Sequence, residues 1–119
     1  MATVKTKITE VVTALGIMGV HARVESAMHT AMPPAVGGLT PEDWEEILDA
    51  YEAGEYVAEF EAAFGNGRHF FDAELRGAAS PRVEWRGNRK TLYHHDLPVD
   101  IRVNRVYLIS CKYNSKVLL

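Results

Sequence analysis

Two short stretches near the carboxyl end of the chain carry residue types that can act together in chemistry. Asp100 is followed, after a spacer of nine residues, by the triplet Ser110-Cys111-Lys112. A carboxylate beside a polar-x-lysine triplet can hold a metal ion next to a lysine that acts as a general acid or stabilises negative charge. These residues are therefore the first candidates for a functional site.

The segment between Asp100 and the triplet predicts a β-hairpin, and the length of its turn decides whether a site can form. A two-residue turn would set Asp100 opposite Ile109, whereas a three-residue turn at 104–106 sets it opposite Ser110. Opposed residues of an antiparallel pair share a face. Only the three-residue turn collects Asp100, Ser110 and Lys112 on one polar face, so we predict that turn, or a bulge with the same result.

These residues resemble the metal-binding core of the PD-(D/E)XK nuclease superfamily. Val99-Asp100-Ile101 is similar to the first half-motif of that family, and Tyr107–Tyr113, with the sequence YLISCKY, is similar to the second. The resemblance implies a restriction-endonuclease-like core, a Mg²⁺ or Mn²⁺ cofactor and hydrolysis of DNA phosphodiesters, in a restriction, repair or defence system. It also implies further structure after the lysine, so the chain is expected to be the N-terminal part of a longer protein or one part of a split assembly.

The resemblance also implies a role for each residue of the candidate site. Asp100 and the backbone carbonyl of Cys111 would bind the metal ion, and Lys112 would orient water and stabilise developing charge. Ser110 stands where the family has an acid, and a neutral hydroxyl is a poor ligand for Mg²⁺. An acid from elsewhere in the chain would have to compensate, and the candidates are Glu59, Asp72, Glu74 and Glu84.

The order of local patterns predicts an α+β fold in one domain, with residues 1–79 helical and residues 80–119 rich in strands. An antiparallel β-meander is expected to follow the N-terminal helices, as the resemblance implies for a restriction-endonuclease-like core, whether complete or truncated. The predicted helices cover 3–15, Val20–Met32, a segment from Thr40 to Gly54, and Glu55–Phe64. The predicted breaks are Gly16 and Gly19, the loop Ala35–Leu39, and Gly65-Asn66-Gly67. The predicted strands are Arg82–Arg86, Thr91–His95, Pro98–Val103 and Val106–Tyr113.

Charge is distributed unevenly along the chain, although the formal net charge is only −3. Residues 1–81 contain five Lys/Arg and 13 Asp/Glu, whereas residues 82–119 contain eight Lys/Arg and three Asp/Glu. The basic part suits a polyanion such as DNA, with Arg86, Arg89 and Lys90 at a hairpin tip that can hold phosphates. Alternatively, the acidic and basic parts attract each other, or the acidic helical part binds a protein partner or a second copy.

Cys111 is the only cysteine in the chain, so an intrachain disulfide is excluded and a reducing, cytoplasmic setting is favoured. No apolar run reaches the roughly 20 residues of a membrane span. The main functional hypothesis, which the resemblance implies, is a metal-dependent endonuclease. The alternative is a non-catalytic module that binds protein or nucleic acid, which includes a degenerate nuclease relic.

Overall fold

The computed structural model describes residues 3–29, 36–75, 83–85, 101–103 and 107–109. These residues form an α+β arrangement of helices and a small sheet. The helices are α1 (Val4–Ile17), α2 (Val24–Met28), α3 (Pro41–Glu52) and α4 (Val57–Phe70), and α4 continues into a π-helical turn, Phe71–Leu75. The strands are β1 (Val36–Gly37), β2 (Val83–Trp85), β3 (Ile101–Val103) and β4 (Tyr107–Ile109).

Helix α1 is the centre of the fold. The side chain of Thr3 caps its first turn by accepting a hydrogen bond from the amide of Thr6. The sequence predicts a helix with one apolar stripe, but every residue from Glu10 to Ile17 is buried. The helix is buried on all sides because other elements surround it. It contacts α2, α3, α4, β1 and β2.

Helix α3 begins and ends where its local chemistry predicts. The hydroxyl of Thr40 accepts a hydrogen bond from the amide of Asp43 at 3.1 Å, and Pro41 occupies the first helical position. The helix ends at Glu52 with Ala53 as its C-cap, and the following Gly54 has a left-handed backbone with φ of 75°. The predicted start at Thr40 and stop at Gly54 are confirmed.

Helix α4 runs through the segment Gly65-Asn66-Gly67, so the predicted break there is wrong. The prediction that Gly16 ends α1 is also wrong, because α1 continues to Ile17, whereas Gly19, the other predicted end, directly follows the C-cap residue Met18. Both errors have one cause, since α1 and α4 cross with their backbones in contact. A Cβ atom at Gly16 would lie 2.5 Å from the carbonyl oxygen of Phe64, and one at Gly67 would overlap the carbonyl oxygen of Thr13.

The sheet has the order β1-β2-β3-β4 and is mixed. β2 pairs antiparallel with β3, and β3 with β4, but β1 pairs parallel with β2, with Val36 opposite Val83. The predicted loop Ala35–Leu39 therefore contains a strand, and the sheet is not the purely antiparallel meander that was expected. The parallel pairing is possible because α3 and α4 lie between β1 and β2 in the chain and provide the long crossover it needs.

The second predicted helix, Val20–Met32, is much shorter in the structure. Helix α2 covers only Val24–Met28, and Val20 is 60% exposed rather than packed in an apolar stripe. Residues 30–35 lie outside the described residues. The glycine at position 19 has a left-handed backbone, which separates α1 from this shorter helix.

Candidate functional site

The β3–β4 hairpin has the register that the sequence predicts. Val103 lies opposite Tyr107, and Ile101 lies opposite Ile109, so three residues connect the two pairing segments. The predicted pairing of Val103 with Tyr107, rather than with Val106, is confirmed. Ile101 and Val103 are fully buried, so the core face of β3 consists of its odd-numbered positions.

The residues that carry the predicted chemistry lie outside the described residues. These are the proposed site residues and the predicted basic tip, namely Asp100, Ser110, Cys111, Lys112, Arg86, Arg89 and Lys90. The predicted strand Thr91–His95 also lies outside them. The structure thus describes the strands that would carry the candidate site. It includes Ile101, the residue after Asp100, and Ile109, the residue before Ser110.

The four acids considered as substitutes for the missing ligand lie in different parts of the fold. Glu84 is on β2 opposite Arg102 of β3, between the buried residues Val83 and Trp85. The other three are on the helical part of the chain. The carboxylate of Glu59 lies 3.9 Å from the ammonium of Lys5, and that of Asp72 lies 3.7 Å from the guanidinium of Arg68. Glu74 is exposed on the π-helical turn. Among these candidates, Glu84 is the one that shares a sheet with β3.

A partly buried ion cluster joins α1 to α3, with Lys7 buried and Glu46 exposed. The ammonium of Lys7 lies 2.7 Å from Oε1 of Glu46 and 2.9 Å from Oδ1 of Asp43, and Lys7 as a whole is buried. The hydrogen bond to Glu46, followed by that to Asp43, raises the pKa of Lys7 above its ordinary value of 10.5. A lysine held in its charged form is unsuited to act as a nucleophile or general base near neutral pH, so this cluster has a structural role.

Lys7→Met is expected to destabilise the protein by about 1–2 kcal/mol at pH 7, because it leaves two neighbouring carboxylates without their shared cation. The pKa of Lys7 is raised in the folded state, so its contribution is fully present below the unfolded value of 10.5 and is lost as pH rises through the folded value. The difference between wild type and variant in the free energy of unfolding should therefore shrink at strongly alkaline pH. Urea unfolding of both proteins from pH 7 to pH 12 measures this difference in the free energy of unfolding.

Lys5→Met is the matched control for the variant at Lys7. The side chain of Lys5 is 46% exposed and lies 3.9 Å from Glu59, and an exposed ion pair of this kind contributes about 0–0.5 kcal/mol. Equal losses of stability for the two variants at pH 7 would contradict a structural role for the Lys7 cluster.

A second buried polar contact joins α1 to β2. Oε1 of Glu10 accepts a hydrogen bond of 2.8 Å from Nε1 of Trp85, and both residues are buried. Sequence reasoning missed this contact, although one signal for it exists. Glu10 directly precedes the apolar residues Val11 and Val12 on a helix, and an acid at such a position needs a partner within the fold.

The described part of the chain contains neither a metal-binding cluster nor a membrane-spanning helix. No group of three or more His, Cys, Asp or Glu side chains in this part is arranged to hold a metal ion. No helix in the same ranges is long and apolar enough to cross a membrane. The expected DNA-binding tip and metal ligands are outside those ranges, so both stay predictions.

Comparison of this chain with protein-family models, with curated proteins and with solved structures finds no match. The resemblance of the hairpin to the PD-(D/E)XK nuclease superfamily therefore depends on the residues of the hairpin itself.

Proposed function

We propose that this chain carries a metal-dependent nuclease-like domain that hydrolyses DNA phosphodiesters. The observation that supports the proposal is the register of the β3–β4 hairpin, in which Ile101 lies opposite Ile109. If the ladder continues by one residue on each strand, Asp100 becomes the partner of Ser110. A register shifted by one residue would instead have separated the acid from the polar-x-lysine triplet.

The burial pattern of β3 gives the same grouping. Ile101 and Val103 are fully buried, and side chains of a strand alternate between its two faces. A continued strand would therefore direct Asp100 away from the core, on the side that Ser110 and Lys112 would share. A polar site on the outer face leaves room for a substrate as large as a DNA strand.

The donor atoms of this group suit an oxygen-preferring cation such as Mg²⁺ or Mn²⁺. Asp100 would offer a carboxylate, and Cys111 a backbone carbonyl. Such a cation, when bound, neutralises charge on a phosphate and makes bound water more acidic. The ammonium of Lys112 would stabilise negative charge on the phosphoryl oxygens, and the hydroxyl of Ser110 would orient a water molecule by hydrogen bonding.

Glu84 is our choice for the acid that compensates for Ser110. It lies opposite Arg102 on the neighbouring strand, two positions along β3 from Asp100. The Cα atoms of diagonal neighbours on one face of a sheet lie about 7–8 Å apart. Two carboxylates at this separation can bind one divalent cation between them. The residues that follow β2, Arg86, Arg89 and Lys90, would then hold the DNA backbone beside the site.

The proposal is tested with the purified chain, a supercoiled plasmid and a short duplex, in Mg²⁺, in Mn²⁺ and in EDTA. Cleavage is expected with either metal ion and not in EDTA. Asp100→Asn and Lys112→Met are each expected to slow cleavage by about 100-fold or more, and Glu84→Gln should slow it as well. Thermal unfolding of each variant shows whether it is folded.

Glu74→Gln serves as the control, because Glu74 is exposed on the π-helical turn and outside the sheet. Its cleavage rate should equal that of wild type. Cleavage that persists in both Asp100→Asn and Lys112→Met would contradict the site assignment. DNA binding without cleavage by wild type would contradict the activity and favour a degenerate nuclease relic, and the absence of both would favour a protein-interaction module.

A further inference from the structure

A groove lies where the end of α3, the start of α4 and helix α2 meet, at a distance in the chain from the proposed nuclease residues. We call it the α3–α4 groove, and its volume is about 300 Å³. This volume is at the lower end of the range for ligand pockets, so it suits one side chain rather than a large ligand. The groove is lined by Val24, Tyr51, Glu55, Val57, Phe60 and Glu61.

The lining of the groove combines aromatic and aliphatic surface. Phe60 is buried, and its ring packs edge-on against Tyr51 with 5.1 Å between the ring centroids. Val57 is 56% exposed, which among the described large aliphatic residues is matched by Val20 alone. An apolar surface of this kind favours a ligand that can bury methylene groups.

The charged groups of the groove are both acidic. Glu55 and Glu61 are exposed, and neither carboxylate forms an ion pair within the described ranges. No lysine or arginine is among the lining residues that the structure describes. Among the described residues, therefore, no cation competes with a positively charged ligand for these two carboxylates.

We propose that the α3–α4 groove binds a lysine or arginine side chain presented by a peptide segment of a partner protein. Such a side chain has an apolar stem and a cationic head, which match the aliphatic and aromatic lining and the two carboxylates. A cation next to the half-buried Tyr51 also gains from its electron-rich ring face. The acidic composition of residues 1–81 attracts a basic peptide from a distance, and this binding is independent of the nuclease activity.

The test is an NMR titration of the ¹⁵N- and methyl-¹³C-labelled full chain with the peptide acetyl-Ala-Leu-Lys-Leu-Ala-amide and its arginine counterpart. Saturable shifts are expected at the methyl groups of Val57 and the amide of Glu61, with a Kd on the order of 1 mM. The peptide with norleucine in place of lysine keeps the stem and lacks the charge, so it should bind at least about 5-fold more weakly. Equal binding of the norleucine peptide would overturn the proposal.

A pair of double variants separates the groove from the general acidity of the surface. Glu55→Gln combined with Glu61→Gln should weaken binding of the lysine peptide by about 5-fold or more at low salt. Glu45→Gln combined with Asp49→Asn removes the same charge from exposed positions on α3 that do not line the groove, and should change binding less than about 2-fold. Equal weakening by both pairs, or no saturable shift in wild type, would overturn the proposal.

Discussion

Replacing Gly67 with alanine is expected to destabilise the fold by about 3 kcal/mol, whereas Gly65→Ala in the same helix is expected to stabilise it by about 0.5–1 kcal/mol. A Cβ atom at Gly67 would overlap the carbonyl oxygen of Thr13 and lie 2.8 Å from the amide nitrogen of Ile17. Both neighbours are backbone atoms of α1 and cannot rotate away. A Cβ atom at Gly65 would meet nothing within 4 Å.

Urea unfolding followed by tryptophan fluorescence measures both variants. Gly65→Ala is the matched control, because it makes the same chemical change in the same helix and alters the helix propensity by the same amount. A change of the same sign and size for the two variants would contradict the close crossing of α1 and α4. Gly16→Ala, on the other side of the crossing, should resemble Gly67→Ala.

The glycines of this crossing show why part of the fold could not be predicted from sequence. Glycine is a poor helix former in isolation, so Gly65-Asn66-Gly67 reads locally as a break. In the structure, Gly67 lies within α4, and this position requires glycine because only a residue without a side chain permits the close contact with α1. The reason for this glycine is thus located about 50 residues away in the chain, at Gly16.

Features that depend on neighbouring residues were predictable. The start of α3 needs only the hydroxyl of Thr40, the proline after it and the amide of Asp43. The register of β3 and β4 needs only the alternation of polar and apolar residues on two adjacent strands, since a slip of one residue would move the buried Ile101 to the outer face. The parallel strand β1 could not be predicted in this way, because two residues, Val36 and Gly37, carry no alternation.

The candidate site also combines features set by nearby residues with features set by distant ones. The hairpin that would carry Asp100 and Lys112 is local, and its register followed from the sequence. The position of Glu84 beside β3 depends on the pairing of β2 with β3, across a connection of 15 residues from 86 to 100. Sequence alone therefore gave four equivalent acids, and the pairing of the strands distinguishes one of them.

Glu10→Ala is expected to destabilise the fold by about 3 kcal/mol, because it leaves Nε1 of the buried Trp85 without its acceptor and opens a cavity beside it. Glu10→Gln keeps an acceptor oxygen at the same position and should cost about 1 kcal/mol or less. Urea unfolding measures the two losses. Glu45→Ala, at an exposed position of α3, should change stability by less than about 0.5 kcal/mol.

The indole proton of Trp85 reports on this contact directly, and Trp44 provides an internal reference. Nε1 of Trp44 is buried and has no hydrogen-bond partner within the part of the chain that the structure describes, so Glu10 is not its acceptor and its resonance should move less than that of Trp85. In Glu10→Gln, a folded variant, the indole resonance of Trp85 should move because a neutral amide replaces a carboxylate as acceptor. An unmoved Trp85 resonance would contradict the contact. A shifted resonance in a folded variant would support a hydrogen bond between α1 and β2, the strand that also carries Glu84.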